Sequence, residues 1–373
     1  MNFSFWETDS WFSDIDYCII GSGITGLNCA LRLKELKPDS RILILEKGML
    51  PEGASTKNAG FACFGSISEI LDDLKRHSEA EVVELVQKRV NGLQLLRNNL
   101  GDVAIDYQKN GGYELFSEKD RELYEECLEK IPEINRLLHP VFSDDVFEIA
   151  ENHFGFKNIQ PKLVFNKFEA QIDTGKMMSV LVRKAIHKGI RILNGVEVSS
   201  FEEVEGSIRV KTAGFSVNTS RLIIATNGFA SRLGIDQVKP ARAQVLITKP
   251  IPDLAIKGTF HLDKGYYYFR NIGNRVLFGG GRNLDFNAEE TDETGLTDLI
   301  QNKLKELLKT TILPETDFEI QQSWSGIMGT GEQKKPLIKE ISNNVFCGVR
   351  LGGMGVAIGS LVGKEIADLA TRS

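Results

Sequence analysis

One run of residues limits the fold of this chain more than any other: Gly21-Ser22-Gly23-Ile24-Thr25-Gly26, set directly behind the apolar stretch Asp16 to Ile20. That stretch reads as a buried strand. The residues from about Ile24 to Glu35 carry Leu27, Ala30, Leu31 and Leu33 at helical spacing, and Arg41 to Leu45 reads as a second buried strand. Strand, glycine turn, helix and strand make a βαβ unit. In such a unit Gly21 permits the tight turn, Gly23 lets the backbone approach a diphosphate, and Gly26 allows the helix to pack close to the strand. The helix start presents N–H groups and the positive end of its dipole to an anion. Glu46, followed by Lys47, closes the second strand where an acid would accept hydrogen bonds from two ribose hydroxyls. With 35 glycines in the chain a lone glycine pattern is only a turn, and it is this context that points to a dinucleotide.

Charge and cysteine usage narrow the class. Lys and Arg number 45 against 51 Asp and Glu, a net charge of −6 without a basic block, which disfavours a nucleic-acid partner. Cys18, Cys29, Cys63, Cys127 and Cys347 are far apart and never spaced as Cys-x-x-Cys, so a reducing compartment and no metal site are expected. Residues 1–14 form an aromatic leader, with Phe3, Phe5, Trp6, Trp11 and Phe12 but no basic start, unlike a signal peptide. The leader either packs on the domain surface or marks a partner interface. The apolar run Leu351 to Gly363 is too short to span a bilayer, and a cytoplasmic location is expected.

Along the chain the pattern changes several times. Glu69 to Leu100 and Glu118 to Leu138 read as helices, with extended pieces around Gly111-Gly112 between them. A helix from about Lys176 to His187 leads to a strand at Ile190 to Leu193 and a meander of Val196 to Phe201, Ser207 to Thr212 and Gly214 to Asn218. Arg221 to Thr226 reads as another buried strand. Strands at Ala243 to Thr248, Gly265 to Arg270 and Arg275 to Phe278, and a helix at Leu296 to Lys309, form a second insertion. Val345 to Val349 then runs into Gly352-Gly353-Met354-Gly355 and a last helix. The expected fold is α/β (α+β overall). A discontinuous Rossmann-like nucleotide domain is expected over 15–66, 158–237 and 324–373, with an antiparallel-sheet substrate domain inserted at 67–157 and 238–323.

A second loop of small and hydroxylic residues, Gly53 to Gly60, can lay donors along a diphosphate and then pass under a flat ring. Together with this loop, the order of four stretches resembles the D-amino acid oxidase superfamily of FAD-dependent oxidoreductases, in the branch of glycine oxidase, sarcosine oxidase and γ-glutamylputrescine oxidase. The stretches are Gly21 to Glu46, Gly53 to Gly60, Gln171 to Gly175 with Ile223 to Gly228, and Gly348 to Asp368. The resemblance implies FAD held between the two domains. Ser55 and Thr56 would touch the diphosphate, and Asn58, Ala59 and Gly60, beside Lys57, would lie along the flavin. Val196 would meet adenine through its backbone, and Thr226, Asn227 and Gly228 would flank the ADP half. Gly352, Gly353, Met354, Gly355 and Val356 would close over the flavin, with Met354 where the family often has histidine. No cysteine matches the family's attachment position, so the FAD is expected to be noncovalent.

The same resemblance implies hydride transfer from the carbon beside a substrate nitrogen to flavin N5, giving an imine that hydrolyses. The substrate would be a small amine or amino acid, and the electron acceptor oxygen or another molecule. Amino-acid oxidising relatives often carry an arginine after Trp-x-Gly. Here Trp324-Ser325-Gly326-Ile327-Met328 has methionine in that place, which favours the amine branch. Arg270, Arg282 or Arg350 offers a displaced carboxylate clamp, Arg350 foremost because it abuts the flavin-closing cluster. Tyr266 and Tyr268 share one face of a strand that roofs the site in the family; an ordinary aromatic strand is the other reading. They shape the pocket together with Trp324. His261 and Lys264 offer a proton relay. Oxidation of a C–O bond, a partner-binding or macromolecule-modifying flavoprotein, and an NAD-linked dehydrogenase are the alternatives.

Overall fold

A computed structural model describes residues 2–372. At its centre Ile15–Ile20 lies between Ile42–Leu45 and Ser216–Ile224, all parallel. Arg191–Leu193 and Val345–Val349 extend the parallel set on either side, and Leu337–Ser342 closes one edge antiparallel. Every residue of Ile42–Leu45 and Val345–Val349 is buried. Apolar clusters form on both faces of this sheet, one with Leu27, Leu31 and Ile366, the other with Val210, Ile235 and Val238. A strand covered on both faces has no polar side to alternate with, which explains the continuous apolar runs in the sequence.

Two strands expected separately, Gly214 to Asn218 and Arg221 to Thr226, are one, Ser216–Ile224. Its first part pairs antiparallel with Ser207–Thr212 and its second part parallel with Ile15–Ile20. The polar run Asn218-Thr219-Ser220 reads as a turn. In the fold Thr219 is buried between Ile208 and Ile15, so ladder pairing overrides local composition. The helix expected from Glu69 to Leu100 is two, Ile67–Leu74 and Glu79–Leu100, each opened by a capping box, Ser66 with Glu69 and Ser78 with Glu81.

The second sheet runs Ile320–Thr330, Lys239–Thr248, Arg275–Gly280, Tyr267–Ile272, Thr259–Leu262, Gly112–Leu115, Lys162–Asn166 and Phe147–Glu151. Its pairings are antiparallel except that between Thr259–Leu262 and Gly112–Leu115. Ile320–Thr330 stays paired with Lys239–Thr248 as far as Thr330, so the border expected before residue 324 falls inside a strand. Lys162–Asn166 also belongs to this sheet, beyond the border expected before residue 158.

The last helix, Gly355–Arg372, packs on Ile24–Leu36 and Glu79–Leu100. Glycine permits the approach: a Cβ at Gly363 would stand 2.6 Å from the Thr25 carbonyl oxygen. In the leader, Phe3 and Phe12 pack on Phe215 with ring centroids 5.4 and 5.0 Å away, whereas Phe5 and Trp6 are exposed. No helix among the described residues is long and apolar enough to cross a membrane.

Candidate active site

Four parallel strands end side by side. Ile15–Ile20 runs into Gly21, Ile42–Leu45 into Glu46, Ser216–Ile224 into Ala225-Thr226, and Val345–Val349 into Arg350. Beyond these carboxyl ends, where open α/β sheets bind ligands, lies a cavity of about 1080 Å³. That is at the upper end for a small-molecule pocket. The βαβ unit contributes Gly21, Gly23, Ile24, Thr25, Glu46 and Lys47, and the second loop contributes Ser55, Lys57, Asn58, Ala59 and Gly60. Val196, Thr226 and Asn227 line it too, as do Gly326, Arg350 and the run Gly352 to Val356. Tyr266 and Tyr268 reach the same cavity from the second sheet.

Six residues singled out in the sequence, Arg270 among them, stay outside the lining. Ser22 is fully buried, and its N–H and hydroxyl both donate to Glu46 Oε2 at 2.8 Å. Gly26 serves packing, since a Cβ there would lie 2.0 Å from the Gly21 carbonyl oxygen. The Thr56 hydroxyl turns back to the Pro51 carbonyl at 2.5 Å rather than to the cavity. Gly228 sits against the backbone of Met328, where a Cβ would stand 2.5 Å from the carbonyl oxygen. Trp324 donates its indole N–H to the Lys57 carbonyl at 3.0 Å and so supports the loop from behind.

The donor set suits an extended diphosphate nucleotide. Gly23 opens the helix Ile24–Leu36 without a side chain to cap it, and Ser55 Oγ accepts the Ile24 N–H at 2.9 Å, which leaves the hydroxyl proton for a ligand. Thr226 Oγ1 is buried with no hydrogen-bond partner, although Thr226 lines the cavity. A Cβ at Gly352 or Gly353 would meet only open space. Asn227, at a φ of 46°, accepts the Leu351 N–H on its side-chain oxygen at 3.1 Å, and the Gly352 N–H donates to the Gly329 carbonyl at 2.9 Å. Loops from three distant parts of the chain are thereby tied together over the cavity.

The second sheet supplies a wall of different character. Its register sets His261 between Glu114 on one neighbouring strand and Tyr268 on the other, so the three share one face. Phe61 meets His261 and Tyr268 edge-on, with centroids 5.4 and 5.7 Å apart. Behind the wall Glu169 Oε2 lies 2.9 Å from His261 Nε2 and accepts the Thr259 hydroxyl at 2.7 Å. Burial acts to lower the His261 imidazolium, but the Glu169 carboxylate, with help from Glu69 and Glu114, lifts it to about 9. Burial pushes Glu114 up to about 7, against the opposing pull of hydrogen bonds from Ser68. The Tyr268 phenol is raised by burial to about 12, with Arg282 opposing, and stays protonated at neutral pH. The expected relay from His261 to Lys264 does not form, because Lys264 turns to Asp72 at 3.7 Å.

Arg270, one of the three candidate clamps, is buried and donates to the carbonyls of Ala59, Ile172 and Asn271. It holds the Ala59-Gly60 turn on the second sheet. Arg350 lines the cavity, but its Nε is committed to the Lys335 carbonyl at 2.9 Å. Met354 stands beside Cys63, with the two sulfurs 3.5 Å apart. Among the described residues no group of three or more His, Cys, Asp or Glu is placed to hold a metal ion.

A family model described as DAO, FAD dependent oxidoreductase, matches residues 16–369. The chain belongs to this family of FAD-dependent oxidoreductases. It is 22% identical over 374 residues to a probable oxidoreductase OrdL of Haemophilus influenzae, covering 95% of this chain and 82% of that protein. It is 24% identical over 384 residues to the gamma-glutamylputrescine oxidoreductase of Escherichia coli, covering 95% and 83%. The glycine oxidase structure from Geobacillus kaustophilus superposes with a TM-score of 0.75 at 18% identity, covering 96% of this chain and 95% of that one. DAO-family membership accounts for the cradle at the strand ends. Glu114 and Glu169 escaped the sequence reading because they come from segments far apart in the chain, His261 and Glu169 being 92 residues apart.

Proposed function

We propose that this DAO-family protein oxidises an amine or amino acid at the carbon beside nitrogen, with FAD bound noncovalently. FAD held by these residues would supply a two-electron acceptor for the substrate C–H bond beside nitrogen, and the imine so produced would be hydrolysed to a carbonyl product and the released amine. The chain's own work is to bind, orient and exclude water. Tyr268, Phe61 and His261 form a wall on which a substrate carbon can rest, and Met328 adds an apolar surface where the amino-acid oxidising pattern has an arginine. His261, held charged by Glu169, keeps a positive group at the site, while the protonated Tyr268 phenol offers a neutral donor.

The observation that carries this reading is that one cavity is lined both by the nucleotide cradle at Gly21, Gly23, Ile24, Thr25 and Gly352 to Val356 and by the wall at His261, Tyr266 and Tyr268. A relative named for gamma-glutamylputrescine and a fold neighbour named for glycine, both amine-bearing compounds, support the choice of a C–N bond. Five buried free cysteines support a reducing, cytoplasmic setting. The test is anaerobic titration of the FAD-loaded protein with amines, amino acids and hydroxy acids, followed by flavin absorbance. Bleaching by amines is expected. Bleaching by hydroxy acids alone would move the assignment to C–O oxidation, and protein that takes up no FAD would end both.

A further inference from the structure

Side chains alone hold one stretch of the cavity's lining. Between the strands Ile320–Thr330 and Leu337–Ser342 the chain runs along the cavity, and Gly331, Glu332, Gln333 and Lys334 line it. Among the described residues no hydrogen bond between main-chain groups ties residues 331–336 to the fold. Lys334 Nζ stands 2.5 Å from Asp73 Oδ1 in the helix Ile67–Leu74, and Lys335 pairs with Glu81 and Glu84 of Glu79–Leu100 at 3.6 and 3.4 Å. Arg350, at a φ of 64°, donates its Nε–H to the Lys335 carbonyl at 2.9 Å. A Cβ at Gly331 would lie 2.7 Å from Arg350 Cδ, so glycine lets the segment rest on the arginine stem.

The pair at Asp73 differs from the pairs at Glu81 and Glu84. The Asp73 side chain is only 9% exposed, and among the described residues Lys334 is its one partner, whereas Glu81 and Glu84 are about half exposed. Exposed pairs contribute little, but a buried carboxylate that loses its partner is left uncompensated. The neighbouring Asp72 pairs with Lys264 at 3.7 Å, in the turn before Tyr266, so one helix end fastens loops from both sheets. We propose that residues 331–336 are a strap over this cavity, latched by Asp73 and Lys334, and that FAD enters and leaves when the latch is undone. A segment without main-chain ties opens at the cost of its side-chain contacts, and the buried pair dominates that cost. The Gly352 N–H donates to the Gly329 carbonyl just ahead of the strap, so opening also loosens the glycine cluster at 352–356. The strap acts on the cofactor, and so serves C–N and C–O oxidation alike.

The experiment needs no turnover. FAD release from the loaded protein is followed by flavin fluorescence after dilution, and trypsin cleavage of the Lys334–Lys335 bond, mapped by mass, reports the open strap. Asp73→Asn, which keeps the cleavage site, is expected to speed FAD release about fivefold and cleavage by a similar factor. Lys334→Gln should speed release as much, and the double variant no more than either single change, because both remove the same pair. Lys335→Gln, whose partners are exposed, should change release by less than about twofold. Unchanged release in Asp73→Asn and Lys334→Gln would overturn the strap, as would effects that multiply in the double variant. Faster release without faster cleavage in Asp73→Asn would overturn it too, and a Lys335→Gln effect equal to that of Lys334→Gln would overturn the latch. If Asp73→Asn fails to fold, Lys334→Gln, on the exposed side of the pair, decides.

Discussion

At the scale of single residues, the site depends on two atoms that are missing and one that is unpaired. Gly26 has no Cβ because the Gly21 carbonyl oxygen occupies the place, 2.0 Å away, and Gly363 has none because the Thr25 carbonyl stands there. Gly26→Ala must push the helix start off the strand, and we expect a loss of about 1–3 kcal/mol in urea unfolding, the usual cost of overpacking, together with loss of FAD binding. Thr226 Oγ1 is buried without a partner, an arrangement that costs the ligand-free chain stability. Thr226→Val should therefore leave the apoprotein as stable or up to about 1 kcal/mol more stable. The same change should weaken FAD binding by roughly fivefold or more, the loss of one hydrogen bond. Equal FAD affinity in fluorescence titration would show that the hydroxyl is not used. The glycines were legible in the sequence because the pattern itself specifies close approach. The orphan hydroxyl was not, since burial is decided by what packs around it.

The element that most affects pH behaviour is the three-strand row bearing Glu114, His261 and Tyr268. Glu114 sits at about 7 in the fold against an ordinary 4.5, so between those values the folded chain keeps a proton that the unfolded chain has released. Stability must fall as pH rises through that window. His261 is raised from 6.5 to about 9, so its stabilising contribution is complete below about 6.5 and is lost as pH rises through 9. Both slopes have the same sign. Unfolding free energy should therefore decline from about pH 4.5 to pH 9 as far as these two groups decide it, and Glu114→Gln should flatten only the lower part. Because a tenfold change in proton affinity corresponds to about 1.4 kcal/mol, the flattening should amount to about 2–3 kcal/mol in denaturant melts run at pH 5 and pH 7.5. Melts with the same pH slope in both proteins would reject the assignment. Strand alternation does not reach Tyr266, which lies in the turn before Tyr267–Ile272, although it lines the same cavity as Tyr268. It had no means of showing that His261 would face Glu114, because register between distant strands leaves no local trace.

For the whole molecule, the consequence is coupling between the chain's two ends. The first βαβ unit and the last helix share the cavity and pack together at Gly363 and Thr25, so a ligand bound there bridges them. FAD at a hundred times its dissociation constant should stabilise the fold by about 2.7 kcal/mol, read as a rise of several degrees in Tm by differential scanning calorimetry. Gly363→Val should diminish that rise as well as the starting Tm, by forcing a side chain against the Thr25 carbonyl. The nucleotide half of the protein was determined by the amino-acid sequence alone, because a glycine turn between two buried strands, an acid at the second strand's end and a returning glycine cluster are local patterns with local physical causes. The strand spanning Asn218 to Ser220, the edges of the two sheets, the Glu114–His261–Glu169 row and the pair of Asp73 with Lys334 were decided only by tertiary structure. Each depends on which distant backbone pairs with which, and on what that pairing shuts away from water.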